Sequence, residues 1–201
     1  MDYKKLISRA LERKFSDLEV YETTDASLSI AVFNGKVDKN EMSEVTKISI
    51  RAIYDGKMAY LGLENTEEDI EFILNNLEKN AKTLTTDEEF SIFAGSKEYP
   101  QIEKKDNDFR NYTNLDRIEM LQSLEKKIRE KDARVVYVPY CNYEEASNKV
   151  RIVNSKGLDI SKENSYCVVV AQVVAKEQED VQSGFKVKVK LNYKDLNIDE
   201  I

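Results

Sequence analysis

Carboxylate side chains occur in several short clusters of this sequence, and they are the first groups to consider for chemistry. The clusters are Glu67-Glu68-Asp69, Asp87-Glu88-Glu89, Glu144-Glu145 and Asp199-Glu200. Such groups could hold a divalent cation or act as an acid and a base, but both roles need carboxylates that converge on one point. Adjacent residues on a helix do not converge, and acidic pairs in turns are normally solvated. The spacing therefore indicates no catalytic, cofactor-binding or metal-binding residue.

Thiol chemistry would depend on Cys141 and Cys167, the two cysteines of the chain. Each is predicted to lie at or near a strand beside aromatic or valine residues, and such surroundings raise the pKa of a thiol and make it unreactive. Two cysteines are also too few for a disulfide framework or a four-thiolate zinc site. We expect both to be buried, reduced thiols.

Histidine is absent from all 201 residues. Without imidazole there can be no Ser-His-Asp triad, no Cys-His pair and no His-ligated zinc. The six glycines are scattered singly, so the sequence has no glycine-rich phosphate loop. Most hydrolase, metalloenzyme and nucleotide-binding classes are thereby excluded for this chain.

Composition favours a folded, soluble and cytoplasmic protein. Hydrophobic residues make up 41% of the chain, and the formal charge of -7 has the wrong sign for sequence-independent binding of nucleic acid. No apolar run approaches the roughly 18 residues of a membrane span, and the N-terminus is charged where a signal peptide needs an apolar segment. We expect neither a nucleic-acid nor a membrane partner.

The first half of the chain predicts a helix, a strand meander and a second helix. Apolar spacings of three and four residues predict helices from Asp2 to Lys14 and from a Thr66 cap onward to Leu84. Between them, residues alternate in polarity around two tight turns, Asn34-Gly35-Lys36 and Asp55-Gly56-Lys57. The turns enclose a long return segment, Val37 to Tyr54, and a strand from Met58 to Leu63 follows the second turn.

The second half repeats this order. A helix from Asn114 to Glu130 precedes a strand, a turn at Asn154-Ser155-Lys156-Gly157, a return segment from Leu158 to Ala175 and a final strand at Phe185 to Leu191. Tyrosines are frequent here, and such residues more often fill a sheet–helix interface than bind a ligand, although they also suit protein interfaces. They are Tyr137, Tyr140, Tyr143, Tyr166 and Tyr193.

The matched halves predict an α+β fold of two duplicated units, each with a helix on a curved antiparallel sheet. The first repeat is residues 1–84, the connecting segment is 85–113 and the second repeat is 114–201, together forming one N-terminal domain of a longer protein. Chance similarity between two meanders is the alternative to duplication. Return segments of 18 residues exceed an ordinary strand, so we expect bent or bulged ribbons.

Three stretches of sequence resemble the TldD/PmbA family, whose members were first described as modulators of DNA gyrase. They are Leu28-Ser29-Ile30-Ala31-Val32-Phe33-Asn34-Gly35-Lys36-Val37, Ile50-Arg51-Ala52-Ile53-Tyr54-Asp55-Gly56-Lys57 and Val150-Arg151-Ile152-Val153-Asn154-Ser155-Lys156-Gly157. The resemblance covers most of the chain and is closer to the PmbA (TldE) side. It implies the N-terminal domain of a cytosolic zinc metallopeptidase system.

In that system, the resemblance implies, TldD-type and PmbA-type subunits pair and cleave small unfolded peptides. The zinc motif belongs to the later part of the TldD-type chain, so no cofactor or catalytic residue is carried over to this sequence. We therefore expect a non-catalytic domain that gives scaffold, homodimer or heterodimer contacts and peptide contacts, with a peptide backbone added along one ribbon edge. The alternatives are a stand-alone protein-interaction module and a hydrolase that uses carboxylates alone.

Overall fold

A computed structural model of the protein describes residues 1–64, 67–85, 88–100 and 106–201. The elements in the described residues are α1 (Tyr3–Glu12), β1 (Phe15–Phe33), β2 (Lys36–Tyr54), β3 (Lys57–Leu63), α2 (Ile70–Lys82), α3 (Asn114–Lys131), β4 (Val135–Asn154), β5 (Asp159–Glu177) and β6 (Asp180–Lys190). Short 3-10 turns lie at Phe109–Asn111, Tyr193–Asp195 and Ile198–Glu200. The predicted mixture of helices and long strands is confirmed.

The strands form one six-stranded sheet in the order β3-β2-β1-β4-β5-β6. Each half of the sequence supplies a helix followed by a three-stranded meander, in which the third strand is an edge strand of the sheet. The outer pairs are antiparallel, with Ile48 opposite Leu63 between β2 and β3, and Cys167 opposite Lys190 between β5 and β6. Both halves of the sequence therefore have the same order of helix and strands, as predicted for a curved antiparallel α+β fold.

Local sequence explains how the helices begin. Asp2 caps α1 by accepting from the amide of Lys5, and Thr113 and Asp116 form a reciprocal capping box at α3. The second helix starts later than predicted. Thr66 lies outside the described residues, and α2 begins at Ile70. The Asp69 side chain caps the helix by accepting from the amides of Glu71 and Phe72, which have no acceptor within the helix.

The tight turns follow from residues that tolerate positive φ. Asn34 and Gly35 have φ of 50° and 71°, and Asp55 and Gly56 have φ of 50° and 76°. These values suit a two-residue hairpin turn, which explains why β1, β2 and β3 follow one another with so few linking residues. The hairpin prediction at both positions is confirmed.

Contacts group the chain into two compact units. Unit 1 comprises residues 1–25, 45–102 and 148–163, and unit 2 comprises 26–44, 103–147 and 164–201. Each unit takes residues from both halves of the sequence because strands of 19 or 20 residues are long enough to serve two cores. The division of the chain at residues 84 and 114 into repeats stays a prediction.

Each unit has its own apolar core. In unit 1, side chains of α1 and α2 pack on the strands, and the largest fully buried ones are Leu6, Leu18, Ile48, Ile50, Ile73, Leu74 and Leu77. In unit 2, α3 packs on the strands through Leu121 and Leu124, against Ile30, Val138 and Tyr143. No helix in the described part of the chain has the length and apolar character needed to cross a membrane.

Candidate functional site

The two cysteines lie in the core of unit 2. The Cys141 thiol donates to the carbonyl oxygen of Leu121 at 3.4 Å, and the Cys167 thiol donates to that of Lys190 at 3.5 Å. Burial raises the pKa of Cys141 to about 12 and that of Cys167 to about 11. Both thiols are free and buried, as predicted, and they are protonated at neutral pH.

Several members of the acidic clusters are engaged in caps and ion pairs. Asp69 caps α2, Asp199 pairs with Lys127 at 2.5 Å and Glu200 pairs with Lys188 at 2.6 Å. Asp87 lies outside the described residues. Within the described ranges, no group of three or more acidic or thiol side chains is placed to hold a metal ion.

A buried charge cluster in unit 2 is centred on Arg117, whose residue is 3% exposed. Its Nε donates to Glu145 at 2.6 Å, and its terminal nitrogens donate to the carbonyl oxygens of Tyr112 at 2.7 Å and Phe109 at 2.9 Å. Burial alone would lower the pKa of Arg117, but Glu145 and Tyr143 hold it above its usual value. The guanidinium therefore ties the chain before α3 to β4.

Tyrosines complete this cluster. The Tyr143 hydroxyl donates to Glu145 at 2.6 Å, and the Arg117 guanidinium lies 5.6 Å from the ring centre of Tyr143 and 5.5 Å from that of Tyr193. Burial raises the pKa of Tyr193 to about 12. Tyr143 fills the core as predicted, whereas the remaining tyrosines of this half are exposed. These are Tyr137, Tyr140 and Tyr166.

A second buried carboxylate, Glu125, holds the β1–β2 turn of unit 2. Glu125 is 2% exposed and accepts from the amides of Asn34 at 2.9 Å and Gly35 at 2.7 Å. Burial alone would raise the pKa of Glu125, but the Gly35 amide, Arg129 and the Asn34 amide together hold it below the usual value. The sequence carried a signal for this residue, since Glu125 interrupts the apolar stripe of α3 between Leu121 and Ile128.

The corresponding turn of the second half belongs to unit 1 and is held differently. Asn154 is buried, donates to Glu19 at 3.1 Å and to the carbonyl oxygen of Phe93 at 2.8 Å, and accepts from the amide of Leu158 at 3.1 Å. Glu19 in turn accepts from Arg51 at 2.8 Å. These polar groups satisfy one another, which is the condition for burying them. The networks around Arg117, Glu125 and Asn154 are structural in their chemistry.

Two adjoining surface cavities lie where α2 ends beside β3 in unit 1, and together we call them the α2–β3 groove. The first, about 440 Å³, is lined by Met58, Ala59, Tyr60, Asn80, Thr83, Leu84, Glu88 and Phe90. The second, about 240 Å³, is lined by Lys14, Tyr54, Asp55, Lys57, Ala81 and Lys82. Apolar side chains dominate the first cavity and ammonium groups dominate the second, so the groove is suited to binding rather than to bond cleavage.

Two family models match the sequence. Residues 18–81 match domain 1 of PmbA/TldA metallopeptidases, and residues 107–201 match the central domain of the same proteins. A comparison with curated proteins finds no match.

Solved structures share the fold at low sequence identity. A proposed modulator of a DNA gyrase from Thermotoga maritima has a TM-score of 0.83 and 22% identity, covering 99% of this chain and 45% of its own. TldE from Thermococcus kodakarensis has a TM-score of 0.80 and 20% identity, covering 99% of this chain and 45% of its own. A proposed gyrase modulator from Bacteroides thetaiotaomicron gives 0.78 and 18%, covering 100% of this chain and 48% of its own. This chain thus spans about half the length of these structures.

Proposed function

This chain belongs to the PmbA/TldD metallopeptidase family, and we propose that it is the non-catalytic N-terminal part of a PmbA-like subunit. In this role it gives scaffold, subunit contacts and peptide contacts in the cleavage of small unfolded peptides in the cytoplasm. The observation that carries the proposal is the match to domain 1 and the central domain of the family in a sequence without histidine.

The donor set of this chain does not fit a zinc ion. Zinc in proteins is held by histidine, cysteine and carboxylate ligands that converge in a tetrahedron. The sequence has no histidine, and both thiols donate to backbone carbonyl oxygens in the core of unit 2. The described acidic side chains do not gather into groups of three. We propose that zinc in the assembly is held by a TldD-type partner, and no reaction step is assigned to residues of this chain.

Exposed apolar side chains on the edge strand β6 support the proposed subunit contacts. Phe185 is 75% exposed, and its neighbours on the same face are also exposed, namely Val181, Val187 and Val189. Residues two apart on a strand share one face, so these side chains form a single apolar stripe. Such a stripe suits a protein interface, which is also what the alternative of a stand-alone interaction module requires.

Pairing and activity can be tested together. The complete subunit that contains this chain would be purified alone and with a TldD-type partner, and each sample would be examined by light scattering and by hydrolysis of an unstructured fluorogenic peptide. We expect a complex, and hydrolysis only when the partner is present. A Phe185→Ser variant should weaken the complex, whereas the matched change Leu115→Ser, at an exposed leucine of α3, should not. Hydrolysis by this chain alone would overturn the non-catalytic role.

A further inference from the structure

The α2–β3 groove combines apolar and cationic surface at one edge of the sheet. Lys57 lines the second cavity, and its ammonium group donates to the carbonyl oxygen of Leu84, a residue that lines the first cavity, at 2.7 Å. The apolar and cationic cavities therefore meet at this contact. A ligand that spans the groove must present an apolar group next to a group that suits ammonium ions.

The first cavity has room for one apolar side chain. Its volume of about 440 Å³ lies in the usual range of ligand sites. Tyr60 and Leu84 are 63% and 36% exposed, so each has apolar surface still in contact with water. Covering that surface with a ligand's side chain is favourable, at roughly 25 cal/mol per Å² of apolar area. Glu88 also lines this cavity and disfavours a carboxylate there.

Cations outnumber carboxylates in and beside the second cavity. Lys14, Lys57 and Lys82 line it together with one carboxylate, that of Asp55. Next to it, Glu78 accepts from Lys82 at 2.5 Å and pairs with Arg13 at 2.9 Å, and Arg13 also pairs with Glu71 at 2.9 Å. The three lysines that line the cavity outnumber its one carboxylate, which makes the cavity complementary to an anionic group.

Backbone groups at the rim of the groove are already engaged by side chains. The Asn80 amide donates to the carbonyl oxygen of Tyr60 at 3.0 Å, and Lys57 donates to that of Leu84 at 2.7 Å. A peptide that added as a further strand on β3 would have to displace the Asn80 amide from the Tyr60 carbonyl. Recognition at this edge therefore depends on side chains rather than on strand addition.

We propose that the α2–β3 groove binds an extended peptide segment in which an apolar residue is followed by an acidic residue. The apolar side chain occupies the cavity beside Tyr60 and Leu84, and the carboxylate contacts the lysines of the adjoining cavity. This inference rests on the proposed role in peptide contact and names the class of peptide. It places the contact on unit 1, away from any group that could cleave a bond.

Fluorescence anisotropy with a defined probe tests the groove directly. The probe is a fluorescein-labelled decapeptide with two leucines followed by two glutamates in a Gly-Ser background, titrated with the 201-residue chain. We expect its Kd to rise about tenfold when the leucines are replaced by serine or the glutamates by lysine, since one lost contact of this kind is worth about that factor. Higher salt should weaken binding of the glutamate probe.

Matched variants assign the binding to the groove. Leu84→Ser and Lys57→Glu should each raise the Kd about tenfold, and Lys57→Glu should also reduce the dependence on salt. The controls are Leu115→Ser and Lys162→Glu, which change exposed residues of the same types elsewhere. Circular dichroism verifies that all four variants are folded. Equal affinities for the groove variants and the wild type would overturn the inference.

The outcome is separable from that of the proposed function, because the probe is bound by this chain alone. If the subunit pairs with a TldD-type partner but the Kd of the probe is the same for the groove variants and the wild type, the proposed peptide site is wrong and the subunit role stands. If the Leu84 and Lys57 variants weaken binding of the probe but the subunit forms no complex with a TldD-type partner, the proposed peptide site stands and the subunit role is wrong.

Discussion

The carboxylate of Glu125 accepts a 2.7 Å hydrogen bond from the backbone amide of Gly35, which lies 90 residues earlier in the chain. The same carboxylate accepts from the amide of Asn34, so one side chain on α3 satisfies two donors of the β1–β2 turn. Arg129 on the next helical turn pairs with Glu125 at 2.9 Å and neutralises its charge. Gln122 and Arg129 of the same helix also donate to Gly35 and Asn34, both at 2.7 Å, so Glu125 is the buried member of a set of α3 side chains that hold the first hairpin in unit 2.

Replacing this carboxylate should destabilise the fold. Glu125→Gln keeps the shape but turns one acceptor into a donor that faces a backbone amide, so we expect the free energy of unfolding to fall by about 1–3 kcal/mol. Urea denaturation followed by circular dichroism measures the change. The control is Glu119→Gln, an exposed position on the same helix, which should stay within about 0.5 kcal/mol of wild type. Equal midpoints for the two variants would contradict the assigned role.

The contribution of Glu125 to the free energy of unfolding should decrease as the pH is lowered. Because its pKa is lowered in the folded state, the stabilisation is fully present above the unfolded pKa of about 4.3 and is lost as pH falls through the folded value. The difference in unfolding free energy between wild type and Glu125→Gln should therefore be constant from pH 7 to pH 5 and shrink below about pH 4. A difference that grows on acidification would show the opposite sign of the pKa shift.

Replacing only one partner of the Arg117–Glu145 pair should lower the free energy of unfolding substantially. Arg117→Met removes the donor to the carbonyl oxygens of Phe109 and Tyr112, and it leaves the Glu145 carboxylate with the Tyr143 hydroxyl but without its guanidinium partner. We expect a loss of about 3–5 kcal/mol, the range for an orphaned buried charge.

A double-mutant cycle isolates the interaction. The variant Arg117→Met/Glu145→Leu removes both charges and should lose less stability than the sum of the two single changes. Arg110→Met, at an exposed arginine of the preceding turn, serves as the control and should have little effect. Additive losses in the cycle would mean that the pair does not couple the two elements.

Both cysteine thiols should be unreactive in the native protein. Burial raises the pKa of Cys141 to about 12 and that of Cys167 to about 11, so neither supplies thiolate at pH 8. A disulfide reagent such as Ellman's should titrate both thiols in urea and neither in buffer on the time scale of minutes. The double change to alanine should leave peptide hydrolysis by the proposed assembly unaltered. Rapid labelling of the folded chain would contradict this prediction.

Zinc should not bind this chain stoichiometrically. The sequence lacks histidine, and the described thiols and carboxylates do not converge on one point. Elemental analysis of the protein, after incubation with zinc and gel filtration, should find well below one ion per chain. One tightly held zinc would require ligands that the described residues do not supply, and it would contradict the non-catalytic assignment.

Sequence alone determined the elements whose causes are local. Apolar spacing specified the three long helices to within a few residues, and the Asn34-Gly35 and Asp55-Gly56 turns were predictable because positive φ is a property of those residues. The inert thiols also followed from their immediate neighbours. The start of α2 was misplaced because several adjacent residues could cap it, and only the backbone path selects Asp69.

Tertiary structure decided what depends on distant residues. A periodic pattern identifies which face of a strand is buried but not which core it enters, so the division of β1 between Leu18 in one core and Ile30 in the other was not predictable. The partners of Glu125, Arg117 and Asn154 were likewise hidden, because a charged or amide side chain is buried only where folding supplies its hydrogen bonds. The α2–β3 groove has the same origin, since the pairing of β3 with β2 and the packing of α2 bring its lining together.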